Sequence, residues 1–151
     1  MTSKEIEEIE KQLDISIGKL LGCGISRRVY EIKDQDLVLK IEDPDSKDWQ
    51  NIIEYKVSRE LQYWKSTDKY IARCPWISSD GILLIQKKCR DLTREEEKQL
   101  RKKKFPSFLT DFKPSNFGIL NGEIVSRDYG SSIITSDMVM RDIPEEELED
   151  L

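Results

Sequence analysis

The stretch Leu109-Thr110-Asp111-Phe112-Lys113-Pro114-Ser115-Asn116 puts an acid, a lysine and an asparagine in one short loop. Twelve residues after Asn116 a second acid opens Asp128-Tyr129-Gly130. Such a set suits two tasks together: holding a nucleotide's metal ions and positioning a hydroxyl for attack on a phosphoryl group. In that chemistry Asp111 orients or deprotonates the nucleophile, and Lys113 neutralises charge on the transferring phosphate. Asn116 and Asp128 are hard oxygen donors, the kind magnesium prefers. The chain has no histidine at all, which removes a histidine base, histidine zinc sites and serine–histidine triads in one step.

These two motifs resemble those of the eukaryotic-type protein kinases, whose catalytic loop reads D-x-K-P-x-N and whose metal-binding turn reads D-F-G. Tyr129 replaces the usual Phe and keeps an aromatic ring, while Leu109-Thr110 stands where the family has His-Arg. The resemblance implies ATP and Mg2+ as ligands, with Asn116 and Asp128 on the metal. Lys113 is the type found in serine/threonine kinases, so the implied acceptor is an aliphatic hydroxyl. The competing explanation is a chance match of a polar loop and a hairpin, which the rest of the chain can test.

Upstream, Gly22-Cys23-Gly24 lies between apolar residues and resumes as Val29-Tyr30-Glu31-Ile32, the pattern of a hairpin. Glycines let a backbone approach phosphates, but hairpin turns also use them, so the pair alone is weak. Val29 strengthens it, standing where the kinase pattern G-x-G-x-x-G-x-V requires a valine. The third glycine is replaced by Arg27, whose side chain either reaches the phosphates or points to solvent, with solvent favoured. In Leu37-Val38-Leu39-Lys40-Ile41-Glu42, alternation puts Val38 and Lys40 on one face and the other apolar residues opposite. If buried, that lysine needs a partner or an anion. It resembles the phosphate-gripping lysine of V-A-I-K; the bland alternative is an exposed lysine on an edge strand.

A helix over about 47–65 carries Trp49, Ile52, Ile53, Val57, Leu61 and Trp64 at amphipathic spacing. Glu54, fourteen residues after Lys40, lies beside that stripe; the resemblance makes it the partner of Lys40, with Glu60 as the fallback. Strands over 70–77 and 82–86 complete a five-stranded antiparallel sheet with one long helix, similar to a kinase amino-terminal lobe, and 87–92 takes the place of the adenine-facing hinge. At the amino end, Thr2 and Glu5 have capping-box spacing ahead of a helix over 3–14 that packs on the flank through Ile6, Ile9 and Leu13 or, alternatively, binds a partner. Thr93 and Glu96 repeat that spacing ahead of a second helix, whose basic end Arg101-Lys102-Lys103-Lys104 is a solvated terminus or a dock for an acidic partner. Asn121-Gly122 between apolar stretches signals a hairpin. The 21 residues after Gly130 contain no A-P-E, and the acidic stretch 144–151 reads as an exposed tail or a docking segment for a basic partner.

Lys and Arg number 25 against 30 Asp and Glu, a net charge of −5, with 37% hydrophobic residues. That balance fits one soluble globular domain and argues against a general nucleic-acid binder. No apolar run suits a membrane helix and the amino terminus lacks signal-peptide character, so a cytoplasmic location is expected. Cys23, Cys74 and Cys89 have no metal-ligand spacing and read as free thiols.

The expectation is an α+β, protein kinase-like fold of one domain: an N-lobe over about 15–88, a reduced catalytic lobe over 89–135, and an acidic tail over 136–151. The expected catalytic set is Asp111, Lys113, Lys40 and Glu54. Gly22, Gly24, Val29, Lys40, Asn116 and Asp128 contact the nucleotide and its metal. The favoured activity is ATP- and Mg2+-dependent phosphoryl transfer to a serine/threonine-type hydroxyl of a macromolecule. The alternative is a pseudokinase-like module that binds a partner protein, motivated by Arg27, Leu109-Thr110 and the missing lobe. An aminoglycoside- or choline-type small-molecule kinase ranks third, because those need a built-up substrate lobe. Apolar surface left by a reduced lobe would favour a homodimer or client complex. So compact a chain suggests a bacterial virus or accessory element.

Overall fold

Thr2 starts the first helix. Its hydroxyl accepts from the Glu5 backbone N–H at 3.2 Å, and the Glu5 carboxylate accepts from the Thr2 N–H at 3.4 Å, closing the capping box. A computed structural model describes residues 1–62, 69–132 and 140–141. Helix α1 (Ser3–Leu13) packs Ile6, Ile9 and Leu13 against Ile17, Tyr30, Ile32, Leu39, Ile41 and Leu83. Those residues belong to a five-stranded antiparallel sheet built from β1 (Ile17–Cys23), β2 (Arg27–Ile32), β3 (Leu37–Glu42), β4 (Trp76–Ile77) and β5 (Leu83–Lys87), in the order β1-β2-β3-β5-β4.

Central β3 is covered on both faces. Leu39 and Ile41 meet the α1 side, while Lys40 faces α2 (Gln50–Leu61) and is 3% exposed, which removes the edge-strand alternative. Two strand limits differ from expectation. Segment 70–72 pairs with the end of a later hairpin: Ser126 N–H donates to Tyr70 O and Ala72 N–H to Ser126 O, both at 2.8 Å. Pro75 then interrupts, having no N–H to give a ladder, and only Trp76–Ile77 joins β5.

Helix α2 also begins later than its apolar periodicity suggested. Trp49 is left-handed (φ 54°) and 57% exposed, and Glu42, at the end of β3, supplies the cap. Its carboxylate accepts from Gln50 N–H at 3.0 Å and Asn51 N–H at 2.8 Å, an anion at the positive end of the helix. The buried face is Asn51, Glu54, Val57, Ser58 and Leu61, so the expected Val57 and Leu61 turn inward beside three polar residues, while Ile53 packs against the core only partly buried. The expected continuation to Lys65 with Trp64 and the acidic stretch 144–151 lie outside the described residues.

After β5 the chain crosses to a smaller second half. Helix α3 (Arg94–Leu100) is capped by Thr93 and Glu96, and β6 (Phe105–Pro106) pairs with β9 (Met140–Arg141). A 3-10 turn, Pro114–Asn116, leads into the hairpin β7 (Phe117–Leu120) and β8 (Glu123–Ser126), turned by Asn121 (φ 52°) and Gly122 (φ 79°). The core here joins Val57 and Leu61 of α2 to Leu100, Phe105, Leu109, Phe112 and Phe117. Leu109 occupies that core at 3% exposure, which suits a leucine where the kinase motif has histidine. The basic run after α3 is not simply a solvated end. Lys103 donates to Ile124 O at 2.6 Å and to Lys69 O, pairs with Glu123, and lies over the rings of Tyr70 and Phe105.

Phe117 is fully buried, 5.3 Å from the Phe105 ring centroid and stacked on Phe112 at 5.8 Å. Truncating Phe117→Ala is expected to cost about 3–5 kcal/mol in urea unfolding; a loss below about 1 kcal/mol would contradict this packing.

Candidate active site

The site is assembled from four stretches of chain far apart in sequence. Lys40 comes from β3 and Glu54 from the inner face of α2; Arg27 opens β2 and Asp128 follows β8. Lys40 Nζ lies 2.6 Å from Glu54 Oε1 and also donates to Arg127 O at 2.5 Å. Glu54, not Glu60, is therefore the partner of Lys40. Gln86 Nε2, 3.4 Å from Glu54 Oε1, and Arg27 complete the carboxylate's surroundings.

Arg27 departs from its expected placement. Its side chain is 5% exposed and points neither to solvent nor into an open phosphate site. Nη2 lies 2.5 Å from Glu54 Oε2 and 2.7 Å from Asp128 Oδ1, and Nη1 donates to Asn51 Oδ1 at 3.2 Å. The guanidinium fork explains the geometry: Nη2 carries two hydrogens, one for each carboxylate. Asn51 is fixed in turn, its Nδ2 donating to Lys40 O at 3.2 Å and Ile82 O at 2.8 Å.

Burial alone would push the Glu54 carboxyl up, but Arg27 and then Lys40 overcome it and hold it below the ordinary carboxylate range. Asp128, with a side chain 51% exposed, moves the other way. Partial burial pushes it up, Glu54 and Asp111 add to this, and Lys40 and Arg27 oppose it. Burial also lifts the Cys74 thiol to about 12 and the Cys89 thiol to about 11, so neither offers a thiolate near neutral pH.

The catalytic-type loop alternates anchors with exposed groups. Phe112 and Phe117 are buried, while Asp111, Lys113 and Ser115 face out. Lys113 N–H lies 3.4 Å from Asp111 Oδ1, Asn116 Nδ2 donates to Asp111 O at 3.4 Å, and Asn116 N–H closes on Lys113 O at 2.9 Å. Arg127 ties this loop to the rest: its N–H donates to Asn116 O at 2.8 Å, its Nε to Ser115 O at 3.2 Å, and Nη2 pairs with Asp91 at 2.8 Å. Tyr129 replaces the motif's phenylalanine and is fully buried. Its hydroxyl donates to Ala72 O at 2.6 Å and lies 3.4 Å from Cys74 Sγ. A Cβ on Gly130 would meet Gln50 O at 2.9 Å and Glu54 Oε2 at 3.0 Å, so only glycine lets this turn press against α2.

The nucleotide-binding expectations sit as follows. Val29 lies opposite Lys40 in the β2–β3 register. A Cβ at Gly22 would meet nothing within 4 Å, and one at Gly24 only Arg27 O at 3.8 Å, while the Gly24 N–H is already donated to Arg27 O at 2.8 Å. In the hinge stretch, Lys87, Lys88 and Arg90 donate their backbone N–H groups within the chain, to Arg73, Asp36 and Ile119. For magnesium the donor types fit: Asn116 keeps Oδ1 and Asp128 keeps Oδ2 outside the contacts described. Asp128 Oδ1 is already held by Arg27. Asn51, Arg127 and the inward course of Arg27 were not legible as site features; the only signal was that Asn51 and Ser58 share the helical face of Glu54.

The chain has a protein kinase-like fold with a reduced second lobe. Among solved structures it superposes on the ternary complex of streptomycin, ATP and APH(2'')-IIa with a TM-score of 0.59 at 14% identity, covering 94% of this chain and 73% of that one. The ADP-bound aminoglycoside phosphotransferase APH(2'')-Ib gives a TM-score of 0.60 at 13% identity, with the same coverage of 94% and 73%. No protein-family model and no curated protein matches the sequence.

Because the folded Glu54 lies below its unfolded value of about 4.3, the stability it contributes is complete above that pH and is lost as pH falls through the folded value. Glu54→Gln is expected to lose about 3–5 kcal/mol at neutral pH, by leaving two buried cations short of an acid. The gap to wild type should narrow in chemical unfolding carried out below about pH 4. Equal neutral-pH stability of the two proteins would contradict the assignment.

Proposed function

We propose that this chain binds ATP and transfers its γ-phosphoryl group to a serine/threonine-type hydroxyl on a macromolecule. The observation that carries the reading is the convergence of Lys40, Glu54 and Asp128, drawn from β3, α2 and the stretch after β8, in one ion cluster joined by Arg27. In the proposed reaction Lys40, held by Glu54, steadies the α and β phosphates. Asp111 orients the acceptor hydroxyl and takes its proton as oxygen bonds to the γ-phosphorus and the bond to the β-phosphate oxygen breaks, leaving ADP. Lys113, exposed on the same loop, neutralises charge on the moving group. Magnesium bound with the nucleotide would be held by Asn116 Oδ1 and Asp128 and would supply further neutralisation.

The macromolecular acceptor is supported by the small scale of the second half. Between β5 and Asp111 the described chain has one helix, α3, and offers little wall for a small substrate. The likeness to aminoglycoside phosphotransferases makes a small hydroxyl-bearing acceptor the comparison to run. A partner-binding role without catalysis is the second reading, favoured by Arg27 occupying Asp128 Oδ1.

Transfer of labelled γ-phosphate from ATP is expected to a protein in a cell extract, and not to a panel of aminoglycosides. Asp111→Asn should cut transfer by about 10²-fold or more, the range of a lost general base. Unchanged transfer by that variant would sink the role given to Asp111. Nucleotide binding without any transfer by the wild type would shift the reading to the partner-binding module.

A further inference from the structure

Arg27 carries a consequence beyond the placement of the cluster, and that consequence rests on the nucleotide-binding reading above. The residue is not a surface side chain that happened to fold inward. Its carbonyl accepts from Gly24 N–H at 2.8 Å, and its backbone pairs with Glu42 across β2 and β3. The preceding Ser26 is held twice, through Asp43 N–H donating to its carbonyl at 2.7 Å and through its hydroxyl donating to Gln50 Oε1 at 3.1 Å. The turn that delivers the guanidinium is thus pinned to the start of α2.

A purely structural strut would be satisfied by Glu54 and Asn51. Arg27 also bonds Asp128, the most exposed member of the cluster and the acid placed for a metal ion. Charge counting makes the point sharper. Lys40 alone against Glu54 and Asp128 would leave one uncompensated negative charge, which a divalent cation normally attracts and covers. With Arg27 present, the ion-paired groups are two cations and two carboxylates. An arginine cannot shed its proton to relieve the crowding, so that compensation is permanent.

We propose that Arg27 is an internal cation performing at Asp128 the neutralising work of a divalent metal, so that this chain binds ATP with little dependence on magnesium. The glycine that Arg27 replaces in the phosphate-loop pattern would leave the acid dependent on metal.

Calorimetric titration of ATP, in excess magnesium and in EDTA, tests this on the wild-type chain and on the Arg27→Gly and Arg27→Lys variants. Wild-type affinity should change by less than about threefold between the two conditions, and that of Arg27→Gly should fall by about tenfold or more in EDTA. Arg27→Lys keeps the charge without the two-carboxylate fork, so it should stay nearly metal-independent while unfolding at lower temperature. A merely structural role would move stability and leave the metal dependence of binding alone. A wild-type affinity that drops about tenfold or more in EDTA overturns the proposal, even if Arg27→Gly fails to fold. Absence of ATP binding by the wild type in magnesium as well overturns the nucleotide-site reading itself, a result distinct from metal-dependent binding.

Discussion

Lys40 and Glu54 cannot be buried beneath the sheet unless their charges are satisfied together. Removing either acid or base from such a cluster strands its partner in a poor solvent for ions. Glu54 is fully buried and receives Lys40, Arg27 and Gln86. Around that requirement the other elements fall into place. Helix α2 must turn its polar row inward, with Asn51 bonding β3 and Arg27 at once. Glu42 must cap the helix so that the row begins at the right height. The turn before β2 must sit close enough for Arg27 to reach, and Gly130 must lack a side chain for the Asp128 turn to lie against α2.

The second half holds its reactive loop by a different means. Phe105, Phe112 and Phe117 form a triangle of rings with centroids 5.3–5.8 Å apart, and Leu109 packs in the same core. Their burial fixes the loop's register, and Asp111 and Lys113, the residues between them, are left exposed. Arg127 then links this loop to the cluster, because its carbonyl receives Lys40 while its side chain and N–H hold Ser115 and Asn116.

Much of this was readable from sequence where a local rule was strong. Both capping boxes, the Asn121-Gly122 hairpin and the alternation that turned Lys40 away from Leu39 and Ile41 rest on short-range patterns, whereas Glu54 as the partner of Lys40 came from the resemblance to protein kinases. Failures arose where a side chain's destination depended on distant partners. Apolar periodicity marked Trp49, Ile52, Ile53, Val57, Leu61 and Trp64 as the inner stripe of α2, and of these Val57 and Leu61 are buried. The inner face also holds Asn51, Glu54 and Ser58, because acceptors and donors from β2, β3 and β5 make the burial of Asn51 and Glu54 tolerable. Arg27 looked like a lost glycine with a free side chain, since nothing local says that two carboxylates await it. Lys103 looked like one charge of a solvated run, though carbonyls and rings from later segments surround it.

Backbone amide NMR of the full chain, titrated with a non-hydrolysable ATP analogue, addresses the central claim most directly. The account predicts shifts concentrated at Gly22, Gly24, Lys40, Asn116 and Asp128, with the α1 face of the sheet unaffected. Shifts confined to the α1 side, or none at saturating analogue, would contradict a nucleotide site organised by the Lys40–Glu54–Arg27–Asp128 cluster.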